Sequence, residues 1–333
     1  MARTRLRSIA RRLWPPKPKP LILMYHRIAD KPVDYWNLAV SPTRFKEQLR
    51  VLRNIRYPLA LKEFFHRLMA GTLPPNAVAL TFDDGYVDNL VSAKPLLEQH
   101  DVPAMIFLAT GYTDCSECFW WDELENLILF GSGPQFFDFS FRDHLMRIDF
   151  GNEAPAREDD PIPRQRLRKR SASLLRIWEV LRRLDDEERS LALAKLRSNL
   201  GGLKYRADLG RAMTSNEVRA LVASGLLTIG AHSVTHPVLA ELPAAACRRE
   251  MTESKRACED LLSAPVSAIS YPYGSFDAKV CEAAKAAGFK SGFSTQHGPV
   301  IATSDVFALP RIHISNLDGN AFERKLRSAS AAG

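Results

Sequence analysis

Short unbroken apolar runs alternate along this chain with stretches of helical spacing. Leu21-Ile22-Leu23-Met24-Tyr25, Ala77–Phe82 and Ala104–Leu108 are three such runs, the pattern of strands buried on both faces of a parallel sheet. Between the first two, Phe45, Leu49 and Leu52 recur at helical spacing behind Ser41, an N-cap residue, and Pro42, suited to a first helical position. A further helix is predicted from about Asp88 to His100, with Asp88 as its N-cap. Strand, helix and strand in this order form a βαβ crossover, so a parallel α/β sheet is expected. From about residue 112 to 210 the rhythm lapses. Leu167, Leu174, Trp178 and Leu181 mark one amphipathic helix there, and Asp185 with Glu188 has the spacing of a capping box for a second, ending at Gly201-Gly202. The segment reads as a helical insertion. The alternation then resumes, with helices at about 216–223, 243–262 and 277–287 and apolar segments at 226–230, 266–270, 289–294 and 306–314. The expected organisation is a basic N-terminal tail at 1–20, one domain at 21–315 carrying the insertion at about 112–210, and a C-terminal tail at 316–333.

Composition adds exclusions. With 333 residues, 46% hydrophobic and 25% charged, the chain is neither collagen-like nor disordered nor a disulfide scaffold. A net charge of +8 would suggest a nucleic-acid partner, but residues 1–20 hold five Arg, two Lys and no acid, which leaves the rest close to neutral. No nucleic-acid binding is expected. Leu6, Ile9, Ala10 and Leu13 fall at helical spacing in that tail, a short basic amphipathic helix suited to peripheral contact with an anionic membrane; a solvated arm is the alternative. Arg7, Arg11 and Arg12 interrupt any export-type apolar run, and no stretch reaches the roughly 18 apolar residues of a membrane span, so a cytoplasmic location is expected. Of five cysteines, Cys247, Cys258 and Cys281 read as helix or core residues, and the lone Cys115-x-x-Cys118 is a weak signal for zinc or redox work.

Chemistry enters at the strand ends. In parallel α/β folds the carboxyl ends of the strands converge on one face, whatever their separation in sequence. Asp83 and Asp84 close the second apolar run, and His232 and His236 follow a later one, spaced to share one side of a helical turn. One carboxylate with two imidazoles suits Zn²⁺ or another first-row divalent ion with open positions for water. Two adjacent Asp residues divide economically into a ligand and a proton acceptor. His26 ends the first strand and can face the same site, although a structural role is the plainer reading. Trp120 and Trp121 read as packing at a helix start, and Arg164 to Arg170 as a solvated helix face.

Taken together, Thr81-Phe82-Asp83-Asp84-Gly85-Tyr86, His232-Ser233-x-x-His236 and Tyr271-Pro272-Tyr273-Gly274 resemble the successive motifs of polysaccharide deacetylases with the NodB homology domain (carbohydrate esterase family 4). The resemblance covers about residues 21–110 and 212–315 and implies a distorted (β/α) barrel of the NodB homology type. It further implies a metal-dependent hydrolase that removes acetyl groups from N-acetylated sugars. In those terms Asp84, His232 and His236 are the metal ligands, Asp83 is the general base, and the backbone N–H of Tyr273 helps hold the oxyanion. The expected ion is Zn²⁺, with Co²⁺ or Ni²⁺ as alternatives. Two features depart from the family pattern. The late histidine, His313, lies four residues after Leu309 instead of two, and Ser270 stands where many members carry arginine. His313 is taken as the general acid, and Arg311 as the source of the positive charge that orients Asp83. The implied partner is an N-acetylated oligo- or polysaccharide, free or lipid-linked at the inner membrane face, in the making or tailoring of a surface glycan. Rival readings are an O-acetyl esterase, a non-sugar amidohydrolase, and a glycan-binding homologue without activity.

Overall fold

The structure, a computed structural model, describes residues 18–31, 33–141, 144–156, 167–202 and 210–331. The amphipathic segment expected at residues 6–13 lies outside them. In chain order the first part comprises β1 (Leu21–Tyr25), β2 (Arg27–Ile28), β3 (Ala39–Val40), α1 (Pro42–Ile55), β4 (Tyr57–Pro58), α2 (Leu61–Met69), β5 (Ala77–Phe82), α3 (Lys94–His100) and β6 (Ala104–Leu108). The insertion contains α4 (Trp120–Phe130), β7 (Phe136–Phe141), β8 (His144–Asp149), α5 (Arg168–Leu181) and α6 (Asp186–Leu200). The last part comprises α7 (Ser215–Val222), β9 (Leu227–Ala231), α8 (Ala244–Leu262), β10 (Ala268–Ser270), α9 (Ala278–Ala286), β11 (Ser291–Phe293), β12 (Ile312–His313) and α10 (Gly319–Ala331).

The main sheet has eight strands in the order β11-β10-β9-β6-β5-β1-β12, with β4 beside β5, and every pairing is parallel. A parallel bridge between Phe293 and Leu309 joins its two ends, so the sheet curls into a distorted barrel of α/β type. The apolar runs are unbroken because both faces are covered. Leu21, Leu23 and Tyr25 of β1 pack in the core that includes Phe45, Leu49 and Leu52 of α1, while Ile22 joins Ala79, Phe107 and Phe293 in a separate cluster. Helix α1 starts as expected, with Ser41 Oγ accepting from the Arg44 N–H at 3.3 Å.

The structure corrects several expectations. Where a helix was expected from Asp88, residues Asn89–Ala93 form a π-helical turn before α3. Pro95 lacks an N–H and crowds the carbonyl four residues back, which accounts for the widened turn. Asp88 does not cap it: its carboxylate accepts from Arg27 Nε at 2.9 Å and the Ile28 N–H at 3.0 Å. The insertion is not wholly helical, since β7 and β8 form an antiparallel hairpin. Phe137, Phe139 and Phe141 alternate inward and pack with Trp120, Leu124, Leu174 and Leu196 in a second core, to which Val33, Tyr86 and Ala109 of the barrel also belong. The capping box of Asp185 and Glu188 is present at the start of α6. Arg170 is not on a solvated face: it is buried over Phe150 and donates to the Ile128 and Gly131 carbonyls at 2.7 and 3.1 Å. Arg164 lies outside the described residues. The segment after 315, expected as a tail, carries α10, whose Phe322 and Leu326 are buried in the core with α1. Among the described residues no helix is long and apolar enough to cross a membrane.

Candidate metal centre and active site

Five strands deliver side chains to one mouth of the barrel. Beyond β1 comes His26, beyond β5 Asp83 and Asp84, beyond β9 His232 and His236, beyond β10 Tyr271 to Tyr273, and β12 itself carries His313. A cavity of about 250 Å³ is lined by these residues together with Trp36, Trp121 and Trp178. Four of the non-glycine residues here hold left-handed backbone: Asp84 at φ 72°, Ser233 at 63°, His236 at 56° and Tyr273 at 58°. Such positions cost about 1–3 kcal/mol each and persist only where neighbours over-determine them. Here the neighbours are visible. The Asp83 N–H donates to the Tyr25 carbonyl at 3.0 Å and the His232 N–H to the Leu108 carbonyl at 2.8 Å. Gly85, at φ 85°, leaves no room for a side chain, because a Cβ would meet Leu108 Cδ2 at 2.6 Å.

His232 and His236 do not share a helical turn, as their spacing suggested. They flank a non-helical loop that bends through the left-handed Ser233. Glu250 of α8 holds that loop, accepting from the Val234 N–H at 2.7 Å, the Thr235 N–H at 3.1 Å and Thr235 Oγ1 at 2.9 Å. The result brings both histidine Nε2 atoms to 3.4 Å from Asp84 Oδ1. One ligand atom from each of these three buried residues lies within 4.8 Å of the others.

Does this set fit a divalent cation? His232 Nδ1 lies 2.8 Å from the Ser270 carbonyl, which only accepts, so Nδ1 carries a hydrogen and Nε2 faces Asp84. Burial works to lower this ring, but the charges of Asp83 and Asp84 and the hydrogen bond to Asp84 raise it, and an arriving cation would displace the Nε2 proton. Burial brings His236 down to about 3, against the pull of Asp84, which keeps it neutral as a ligand must be. Burial works to raise Asp84, but the His232 hydrogen bond and the charges of His236, His26 and His232 hold its carboxyl below the usual range. A buried carboxylate faced by two imidazole Nε2 atoms is a donor set for a first-row divalent ion, with open positions remaining.

Asp83 stands beside this set without joining it. Its two oxygens accept from Arg311 Nη1 and Nη2, both at 2.7 Å, and Ser270 Oγ donates to one of them at 3.1 Å. Arg311, 0% exposed, spends its remaining donors on Thr81 Oγ1 at 3.1 Å, Ser270 Oγ at 2.8 Å and the Ser294 carbonyl at 2.9 Å. Burial alone would push the Asp83 carboxyl up. The Arg311 charge, the His232 charge and the Arg311 hydrogen bonds outweigh it and hold the group well below the usual carboxylate range. Arg311 thus lies against Asp83, with Ser270 between them at the position where an arginine is usual in the resembling family.

His313 lines the same cavity, its ring 6.0 Å from that of His26. Burial first, then the charges of His26 and Lys325, bring His313 down to about 4. Tyr273 packs its ring 4.6 Å from His236 and 5.7 Å from Trp178. Trp120 and Trp121 are buried packing residues, as expected, and Trp121 also lies 4.6 Å from the His236 ring. Trp36 and Trp178 meet at 5.5 Å, so the insertion reaches the mouth of the barrel. Neither was singled out for the site, and nothing in their spacing marks them as neighbours. Cys115 is exposed, and burial pushes Cys118 up to about 12.

Comparison with known proteins agrees with this geometry. A family model described as polysaccharide deacetylase matches residues 70–131 and 204–292, which include both acids and both histidines. The poly-beta-1,6-N-acetyl-D-glucosamine N-deacetylase of Staphylococcus aureus (strain MSSA476) is 32% identical over 77 residues, 23% of this chain and 27% of that one. YxkH of Bacillus subtilis (strain 168), which carries a polysaccharide deacetylase name, is 26% identical over 117 residues, 35% of this chain and 42% of that one. The chain thus spans less than half the length of these curated relatives. Among solved structures, the Streptococcus pyogenes deacetylase PplD in complex with acetate superposes with a TM-score of 0.59 at 20% identity, covering 93% of this chain and 99% of that one. IcaB from Ammonifex degensii gives 0.57 at 17% identity, with 95% and 98% covered. These two likenesses show a shared fold. With the motif residues gathered at one barrel mouth and the family model matching on both sides of the insertion, the chain is similar to polysaccharide deacetylases in fold and in motif, as its sequence led us to expect.

Proposed function

We propose that this chain is a carbohydrate N-deacetylase that hydrolyses the acetamido group of an N-acetylated glycan, with a divalent ion held by Asp84, His232 and His236. The observation that carries the proposal is the pairing of that buried donor set with a separate, oriented carboxylate in one cavity. When bound, the ion supplies Lewis acidity to the acyl oxygen and to the attacking water. Asp83 takes the proton from that water. Its two bonds to Arg311 fix the carboxylate plane and keep it ionised at neutral pH. The Tyr273 backbone N–H is assigned to the developing oxyanion, as in the family motif. His313 is assigned to the leaving nitrogen. Its lowered value leaves it uncharged at neutral pH, so the proton it hands to the leaving nitrogen is the one that Asp83 took from the water, passed on within the cavity that both line.

The proposed substrate is an N-acetylhexosamine polymer or oligomer of a cell-surface glycan. Its support is the name of the staphylococcal relative together with the aromatic side of the cavity, where Trp36, Trp178 and Tyr273 offer flat apolar faces to a sugar ring. A cytoplasmic enzyme, in peripheral contact with the inner membrane face and acting on a lipid-linked sugar, extends the proposal on the strength of the basic residues 1–20. The test is acetate release by metal-loaded protein on a panel of N- and O-acetylated saccharides, with Asp83→Asn alongside and bound metal quantified in both. Acetate from N-acetylated sugars only, lost in Asp83→Asn and on chelation, is the expected result. Acetate from O-acetylated sugars only would replace the amide with an ester, and sugar binding without acetate would make the chain a glycan binder.

A further inference from the structure

The two histidines of the donor set are held in different ways. His232 gives its Nδ1–H to the Ser270 carbonyl at 2.8 Å, whereas His236 Nδ1 is buried with no hydrogen-bond partner among the described residues. Metal-ligating histidines ordinarily fix their ring through that second nitrogen, and loss of the fixing group typically costs 10- to 100-fold in affinity. For His236 the fixing is done by packing. The Trp121 ring lies 4.6 Å from it, tilted by 42°, and the Tyr273 ring 4.6 Å away at 72°.

Trp121 belongs to α4, the first helix of the insertion, and is itself braced. Its Nε1–H donates to Tyr86 Oη at 2.7 Å, and the Tyr86 hydroxyl donates to Asp122 at 2.6 Å. Asp122 faces Lys31 at 3.4 Å and Arg27 at 3.6 Å. On the indole plane, Phe119 stacks at 4.7 Å and 14°. Tyr86 stands two residues after Asp84, so the brace returns to the segment that supplies the carboxylate ligand.

We propose that Trp121, braced by Tyr86 and Asp122, is a positioning residue of the metal centre. It orients His236 by ring packing where the usual hydrogen bond is missing, and through it the insertion takes part in metal binding. The inference rests on the metal-site reading of Asp84, His232 and His236.

The test measures Zn²⁺ affinity of the full chain by competition with a chromophoric chelator, and the visible ligand-field spectrum of the Co²⁺-loaded protein. Wild type is compared with Trp121→Leu and Tyr86→Phe. Trp121→Leu should weaken Zn²⁺ binding by about 10- to 100-fold and alter the Co²⁺ spectrum, with a smaller loss in the same direction for Tyr86→Phe. A packing role alone would lower the melting temperature of the metal-free protein and leave affinity and spectrum untouched, which overturns the inference. Should Trp121→Leu fail to fold, Tyr86→Phe, which keeps both rings, decides the matter by the same criterion. No Zn²⁺ uptake by the wild type overturns the metal-site reading and this inference with it, whereas uptake by wild type and variants alike overturns the inference only.

Discussion

The Asp83–Arg311 pair should be measurable as a coupling in stability. Neither side chain is appreciably exposed, and two hydrogen bonds of 2.7 Å join them. With charge centres about 4 Å apart and an effective dielectric of about 20, their attraction is about 4 kcal/mol. That falls within the roughly 3–5 kcal/mol lost when one partner of a buried pair is removed. Arg311→Met should lower the unfolding free energy by about this amount, since Asp83 keeps a hydrogen bond from Ser270 but loses its counter-ion. The double variant Asp83→Asn/Arg311→Met should lose less than the sum of the two single variants, because no buried charge is left alone. The pH dependence has a definite sign. In the wild type the folded Asp83 lies below its unfolded value of about 3.9, so its contribution is fully present above that pH and is lost as pH falls through the folded value. In Arg311→Met, burial becomes the dominant influence and raises the folded value above the unfolded one. The folded variant then holds a proton that the unfolded chain lacks. Relative to wild type, its stability should therefore rise as pH falls from 8 to 5, by at most about 1.4 kcal/mol per pH unit. Urea unfolding at several pH values, with chelator present so that metal linkage adds nothing, measures both effects. Additive losses, or the wild-type pH slope in Arg311→Met, would refute the reasoning.

Other consequences can be checked separately. His313→Gln should lower kcat by about 10²- to 10⁴-fold with metal content unchanged. The same variant should lose less stability than wild type between pH 7 and 5, because folding holds His313 neutral, and that preference costs stability as pH drops from about 6.5 toward its folded value of about 4; equal losses in urea titrations would contradict the burial of His313. Trp178→Ala should raise KM about 3- to 10-fold, the size of one aromatic contact, while leaving bound metal as it was; a steady-state assay with an unchanged KM would remove Trp178 from the sugar site. Phe322→Ala should cost about 3–5 kcal/mol in denaturant unfolding, because Phe322 is 0% exposed in the main core, and a negligible change would return α10 to the status of a tail.

The barrel strands were legible because burial on both faces leaves few polar residues inside them, as in Leu21–Tyr25 and in Ala77–Phe82, where Thr81 is the exception. The acids and histidines were legible because each follows directly on such a run. The hairpin of the insertion was not, although Phe137, Phe139 and Phe141 carry a clear period of two. Flanked by Gly131, Gly133 and Pro134 and followed by charged residues, that alternation was absorbed into a segment dominated by helical spacing. Helix α10 was missed for a related reason: Phe322 and Leu326 keep helical spacing, but Arg324, Lys325, Arg327, Ser328 and Ser330 stand around them and suggest a solvated end. Asp88 shows the limit of local rules. It stands where a cap belongs, yet the buried Arg27 claims its carboxylate from 61 residues away. Glu250 shows another. Among Arg248, Arg249 and Glu253 it reads as one more surface charge, and only the fold brings it beneath the histidine loop.

Closure of the barrel by the segment 309–313 has a consequence for how the protein is made. Asp83 and its counter-ion are 228 residues apart, and Arg311 immediately precedes β12. A ribosome reads out both acids early and both histidines later, but a chain still short of residue 311 has no guanidinium to seat Asp83 and no β12 to pair with β1. The carboxylate proposed as general base is therefore seated only once residue 311 has been added to the chain. A chain that stops short of β12 carries the recognisable motifs without the Asp83–Arg311 pair, so the proposed hydrolysis awaits synthesis of that strand.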